Sequence, residues 1–214
     1  MSVNHLLFDS LWPGLAVWGA LYVSDYAFTL TCARLYQNGV KERIVFEGSF
    51  EITPYFQADI DSLRVVSPRF VAAMAAACAY LGATWWLAGI SDARLYQFVL
   101  GSMILSELAI HVRHVRNLFL FRAILGTDDI QGRMHYARPS MLRMSAVELF
   151  AFAGMYAFLF LFTFSWFVFG GVFACLGIAM KHRSLAEKHS AALMAKTAAV
   201  QKSEQAPASE STSS

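Results

Sequence analysis

The chain predicts an all-α, polytopic membrane bundle of about five transmembrane helices, with a small interfacial hairpin/helix patch on the inner face. Three observations lead there. Of 214 residues, 57% are hydrophobic and only 15% charged, less charge than a soluble domain of this length carries. The apolar residues collect in runs long enough to cross a bilayer core of ~30 Å, which takes about 20 helical residues. Sixteen of the seventeen Lys and Arg residues fall on one side once five spans are drawn.

The spans follow in order. Leu11–Ala33 and Phe70–Ile90 each have the length of a crossing, and Leu95–Val112 ends at the basic group Arg113, His114 and Arg116. Met144–Met180 would be ~55 Å as one helix, too long for one crossing. A break at Thr163–Ser165 divides it into Met144–Phe162 and Trp166–Met180. Five basic residues then precede span two, six lie between spans three and four, and five follow span five, all inside; Arg94 alone is outside. This sets the N-terminus outside and the C-terminus in the cytoplasm, as in a bacterial inner membrane. Trp12, Trp85, Trp86 and Trp166 fall near the outer interface, where aromatic belts form, whereas Trp18 reads as a packing residue.

The inner segments 34–69 and 113–143 carry order of their own. Residues 44–53 alternate around Gly48, as a short β-hairpin does, with a single extended interfacial strand as the other reading. Thr53-Pro54 reads as the start of an amphipathic helix to about Val66, carrying Asp59 and Asp61. Ser67-Pro68 repeats the cap signal and opens span two. Residues 123–139 read as a connector, in which Asp128-Asp129 would cap a helix or bind a divalent ion beside a headgroup. A cytoplasmic helix is expected over 181–200 and a disordered tail over 201–214. No Lys or Arg precedes Arg34, so no signal-peptide n-region is evident and span one is expected to stay. The three Cys lie in apolar runs without disulfide or zinc spacing.

Ionisable residues inside a membrane are costly, so each is a functional candidate. Asp25 in span one, Glu107 and His111 in span three, and Glu148 in span four all fall in the inner half, ~8–13 Å from the inner boundary. Glu107, His111 and His114 are spaced i, i+4, i+7 on one helix face. A carboxylate with two imidazoles suits a divalent metal such as Zn²⁺, Fe²⁺ or Mn²⁺, with Asp25 or Glu148 as further ligands. In span one, Tyr22, Asp25, Thr29 and Cys32 form a matching stripe. The plain alternatives are interhelical hydrogen bonds for Asp25, headgroup contacts for the two His, and a helix-start carboxylate for Glu148. Arg113, Arg116 and Arg122 would hold anionic lipid headgroups. The Ala-rich face of span two and Gly170-Gly171 read as close helix packing, and the Phe-rich run of spans four and five as lipid-facing bulk.

No phosphate-cradling loop or nucleophile constellation is present, and a net charge of +2 argues against a nucleic-acid partner. Three function classes remain, in this order: a non-enzymatic scaffold or accessory subunit, as a homo-oligomer or within a membrane complex; a small proton or cation channel or transporter using the acidic/His cluster; and a metal-assisted membrane enzyme acting on lipid at the inner interface.

Overall fold

The computed structural model describes residues 7–127 and 132–205. The protein is mostly helical, and among the described residues three helices are long and apolar enough to cross a membrane: Pro68–Ile90, Ala93–Gly126 and Arg138–Thr163. In chain order the elements are α1 (Leu11–Leu35), a π-helical turn (Tyr36–Val40), β1 (Ile44–Phe46), α2 (Gln57–Asp61), α3 (Pro68–Ile90), α4 (Ala93–Gly126), β2 (Met134–Tyr136), α5 (Arg138–Thr163) and α6 (Trp166–Gln205). Polar Ser24, Asp25, Thr29 and Thr31 dilute the hydropathy of α1, and α6 is apolar only as far as Met180.

The helix boundaries have local causes. Ser67 caps α3, its Oγ accepting from the Phe70 amide at 3.1 Å, with Pro68 in the first turn where a missing N–H costs nothing. Asp92 caps α4 by accepting from the Arg94 amide at 2.9 Å. The break expected at Thr163–Ser165 is present: α5 stops at Thr163, Phe164 turns left-handed (φ 47°) and α6 begins at Trp166.

Other boundaries differ from the sequence expectation. No proline interrupts residues 93–126, so the third apolar helix continues past Val112 to Gly126, ~51 Å in all. α5 starts at Arg138, six residues before the expected span, because Pro139 suits a first turn. Helix α6 runs unbroken through the expected cytoplasmic segment and on to Gln205. The segment 44–53 is no hairpin: β1 pairs in parallel with β2, Ile44 opposite Met134 and Phe46 opposite Tyr136. The helix expected from Thr53 to Val66 shrinks to the five residues of α2, ended by left-handed Leu63 (φ 51°). Asp128 and Asp129 lie outside the described residues.

Side-chain contacts give the helix directions. Phe70 stacks on Tyr22 and Tyr26 while Gly82 approaches Leu11, so α3 runs antiparallel to α1. Gly14 lies against Leu100, Ser24 against His111 and Cys32 against His114, so α1 and α4 run parallel. Tyr156 donates to the Leu105 carbonyl at 3.0 Å and Arg113 meets Glu148, so α5 opposes α4. The two-residue connection from α5 turns α6 back parallel to α4.

Packing is tightest between α4 and α6. A Cβ on Gly101 would collide with the Phe167 backbone, and one on Gly170 with the backbone at Phe98 and Ser102. Gly170-Gly171 therefore does serve close approach. The Ala-rich face of α3 does so only in part: Ala73 and Ala77 are half-buried, whereas Ala72, Ala75, Ala76 and Ala79 are exposed. Trp18 is a packing residue, 3% exposed within a cluster that includes Leu81, Tyr96, Leu100 and Ile104. Large apolar side chains instead cover the outside, among them Val71, Trp86, Val147, Phe158 and Phe162. Such a surface suits lipid and not water.

Replacing Gly101 or Gly170 with Ala is expected to lower the midpoint of thermal unfolding in detergent, by overpacking worth at least ~1–3 kcal/mol. Gly154→Ala and Gly177→Ala, where a Cβ meets nothing, are the controls. Equal midpoints for all four variants would refute the close α4–α6 contact.

Candidate functional site

A cavity of about 620 Å³ lies between α1, α4, α5 and α6, below the cluster packed around Trp18 and above the β1–β2 patch. Its walls differ in character. One is ionic: Asp25 from α1, Glu107, Arg113, His114 and Arg116 from α4, Glu148 from α5, Lys181 and His182 from α6. The other is aromatic: Phe46, Phe50, Phe121 and Tyr136, in mutual ring contact at centroid separations of 5.6–5.7 Å.

The patch that floors the cavity is held by Arg138. Its guanidinium donates to the carbonyls of Ser49, Glu51 and Ile52, the last at 2.6 Å, and its amide donates to Glu47 Oε2 at 2.9 Å. One side chain at the start of α5 thereby fixes the loop that follows β1. Asp59 is buried beside it and accepts from Ser67 Oγ at 2.6 Å, with Arg64 3.4 Å away. Glu51, whose Oε1 accepts from the Thr53 amide, also lines the cavity, and burial pushes its carboxyl above the usual range.

Contacts between α1 and α4 form the polar centre. His111 Nε2 lies 2.7 Å from Ser24 Oγ, and its Nδ1 lies 2.7 Å from the carbonyl of Glu107. His114 Nε2 lies 2.8 Å from Asp25 Oδ1 and 3.4 Å from Thr29 Oγ1. The His114–Asp25 contact is an ion-pair approach and not an aligned hydrogen bond. Asp25 Oδ1, Glu107 Oε2 and His114 Nδ1 are buried atoms with no hydrogen bond among the described residues.

A second set links α4 to α5. Arg113 Nε donates to Glu148 Oε2 at 3.0 Å, and Arg116 contacts Glu148 Oε1. Glu148 thus bridges two guanidiniums. It lies well inside α5, which begins at Arg138, so it is an interhelical partner and not a helix-start carboxylate. Arg113 is 14% exposed and committed to that pair, whereas Arg116 is 50% exposed and faces the cavity rim. Arg122 is exposed and does not line the cavity. On α6, His182 Nδ1 meets Ser145 Oγ at 2.8 Å. Burial, with Arg113, Lys181 and Arg138 nearby, pulls its pKa down to about 4, so the ring is neutral at neutral pH.

Of the four residues expected to share a site, Asp25, Glu107 and Glu148 line the cavity, and His111 stands behind its wall. Of the metal set expected, Glu107 and His111 with Asp25 as a further ligand come together, without His114 or Glu148. One ligand atom each from Asp25, Glu107 and His111 lies within 4.8 Å of the others, while His114 turns to Asp25 and Thr29. Ser24, Ser145, His182, Arg138 and the aromatic wall were not anticipated. For Ser24 a signal existed: it neighbours Asp25 on α1 just as two His stand three apart on α4. For Arg138 none did, because its partners are backbone carbonyls distant in sequence.

Comparison with known proteins gives no guide to the role of these groups: no family model matches the chain, and neither a curated protein nor a solved structure is similar to it.

Proposed function

We propose that this chain is a multi-pass protein of a bacterial inner membrane, with five spans and an outside N-terminus, that binds an anionic lipid in its inner-leaflet cavity. The sidedness of Lys and Arg and the alternating directions of α1, α3, α4, α5 and α6 support five crossings. In this reading α1 and the first fifteen residues of α6 cross beside the three more apolar helices.

The observation that carries the ligand reading is the pairing of the two walls. A cavity of about 620 Å³ is within the usual size of small-molecule sites, ~300–1,000 Å³. Its aromatic side suits an acyl chain. Its rim offers Arg116, half-exposed and sharing one carboxylate with Arg113, so the trio Arg113–Arg116–Glu148 keeps one net positive charge for an anionic headgroup. A plain scaffold, the first class by sequence, has no use for such a cavity. The channel class is less well supported, because Trp18, Leu81, Tyr96, Leu100 and Ile104 fill the half beyond it with apolar packing.

Two experiments test the proposal. In a variant lacking native cysteines, Ser91→Cys should react in whole cells with a membrane-impermeant maleimide, and Lys188→Cys only after lysis. Reaction of both in intact cells would rule out the topology. In native mass spectrometry the wild type should retain phosphatidylglycerol in preference to phosphatidylcholine. Arg116→Gln should weaken that retention about tenfold, the loss of one charge-assisted contact of roughly 1.4 kcal/mol. Equal retention of both lipids by the wild type would refute the ligand class.

A further inference from the structure

We propose that Asp25, Glu107 and His111 hold one divalent first-row metal ion of the zinc, iron(II) or manganese kind where α1 meets α4. The site goes beyond the lipid reading and does not rest on it, since its ligands lie on the α1–α4 seam and His111 is not part of the cavity wall.

The hydrogen-bond accounting around His111 motivates it. Nδ1 faces the Glu107 carbonyl at 2.7 Å, an acceptor only, so Nδ1 carries a proton. Ser24 Oγ lies 2.9 Å from the Leu21 carbonyl and 2.7 Å from His111 Nε2, and its single proton can serve either. With Nδ1 protonated, Nε2 presents a lone pair, which the Ser24 hydroxyl or a metal ion can meet. The neighbouring carboxylates bear on that choice. Glu107 Oε2 is buried without a hydrogen-bond donor, and Asp25 Oδ1 has only the unaligned approach of His114 Nε2 at 2.8 Å, a costly state inside a membrane. A metal ion serves Nε2 and both carboxylates at once.

The local chemistry fits such an ion. An imidazole whose other ring N–H is held by a backbone carbonyl is the usual arrangement of a ligating His, with tautomer and ring plane fixed. One nitrogen and two oxygens form a borderline donor set that suits these metals over calcium or magnesium. Metal–ligand distances of ~2.0–2.2 Å place ligand atoms ~3–3.5 Å apart, so the three must close from their present span of at most 4.8 Å. Rotation about the side-chain bonds of Asp25 and Glu107 supplies that movement, and Ser24 keeps its bond to Leu21 when it yields Nε2. The other titratable or charged groups near the seam are His114, which contacts Asp25, and Arg113 and Arg116, both held by Glu148. None of the ion pairs they form includes Glu107. Three protein ligands leave coordination positions toward the cavity, the arrangement of an open and not a closed structural site.

The test uses the full chain in detergent, stripped with chelator and dialysed against Mn²⁺ and, separately, Zn²⁺. Elemental analysis should find about one ion per chain, and Glu107→Gln and His111→Gln should each weaken binding at least tenfold while eluting as the wild type does. Pulsed electron paramagnetic resonance of the Mn²⁺-loaded wild type should show coupling to the nitrogen of one imidazole, a readout that stands even where a variant fails to fold. Ser24→Ala, which frees Nε2, should bind at least as tightly as the wild type. Absence of binding by the wild type would overturn the proposal. Binding without nitrogen coupling, or equal binding by folded Glu107→Gln, would overturn it too.

Discussion

A carboxylate cannot be left facing hydrocarbon, and this chain has three within its apolar helices. Asp25 and Glu148 each meet a partner on another helix, and those partnerships set the rotation of the helices carrying them. Ser24 and Asp25 are adjacent on α1, so they point about 100° apart. One meets His111 and the other His114, which stand three residues apart on α4. With those contacts made, the Tyr22–Tyr26 side of α1 faces Phe70 of α3. Glu148 does the same for α5, which can meet Arg113 and Arg116 together in one orientation only.

The cavity follows from how unevenly the bundle closes. Near Gly101 and Gly170 the backbones of α4 and α6 approach so closely that no side chain fits between them. Beyond His111 the facing residues are long and ionic, so the helices stay apart. The space that opens is closed at its far end by the β1–β2 patch, drawn onto the start of α5 by the three carbonyl contacts of Arg138. Small residues at one end and large polar ones at the other thus produce a bundle tight at the Gly101 end and open at the other, with its charged groups lining the opening.

What could be read from the sequence was what depends on length, spacing and local chemistry. Thirty-seven apolar residues cannot cross once, so the turn at Phe164 was legible; so was the Ser67-Pro68 start of α3. Period two over 44–53 announced extended chain, but periodicity is silent about the partner, and β1 pairs with a strand near residue 134 rather than with its own neighbour. The i, i+4, i+7 spacing put Glu107, His111 and His114 on one face. It could not say which of them α1 would turn toward itself, because that depends on the rotation of a second helix. Glu148 looked like a helix-start carboxylate only because α5 was expected to begin at residue 144 and not at Arg138.

The central claim is that α1 and α4 are locked together by their facing polar side chains, and a double-mutant cycle on Asp25 and His114 tests it most directly. Asp25→Asn, His114→Gln and the double variant would be compared by thermal unfolding in detergent. If the pair is joined as the 2.8 Å approach indicates, each single change lowers the midpoint and the second adds little to the first. Strictly additive losses would mean that the two side chains act independently, and the lock between α1 and α4 would have to be abandoned.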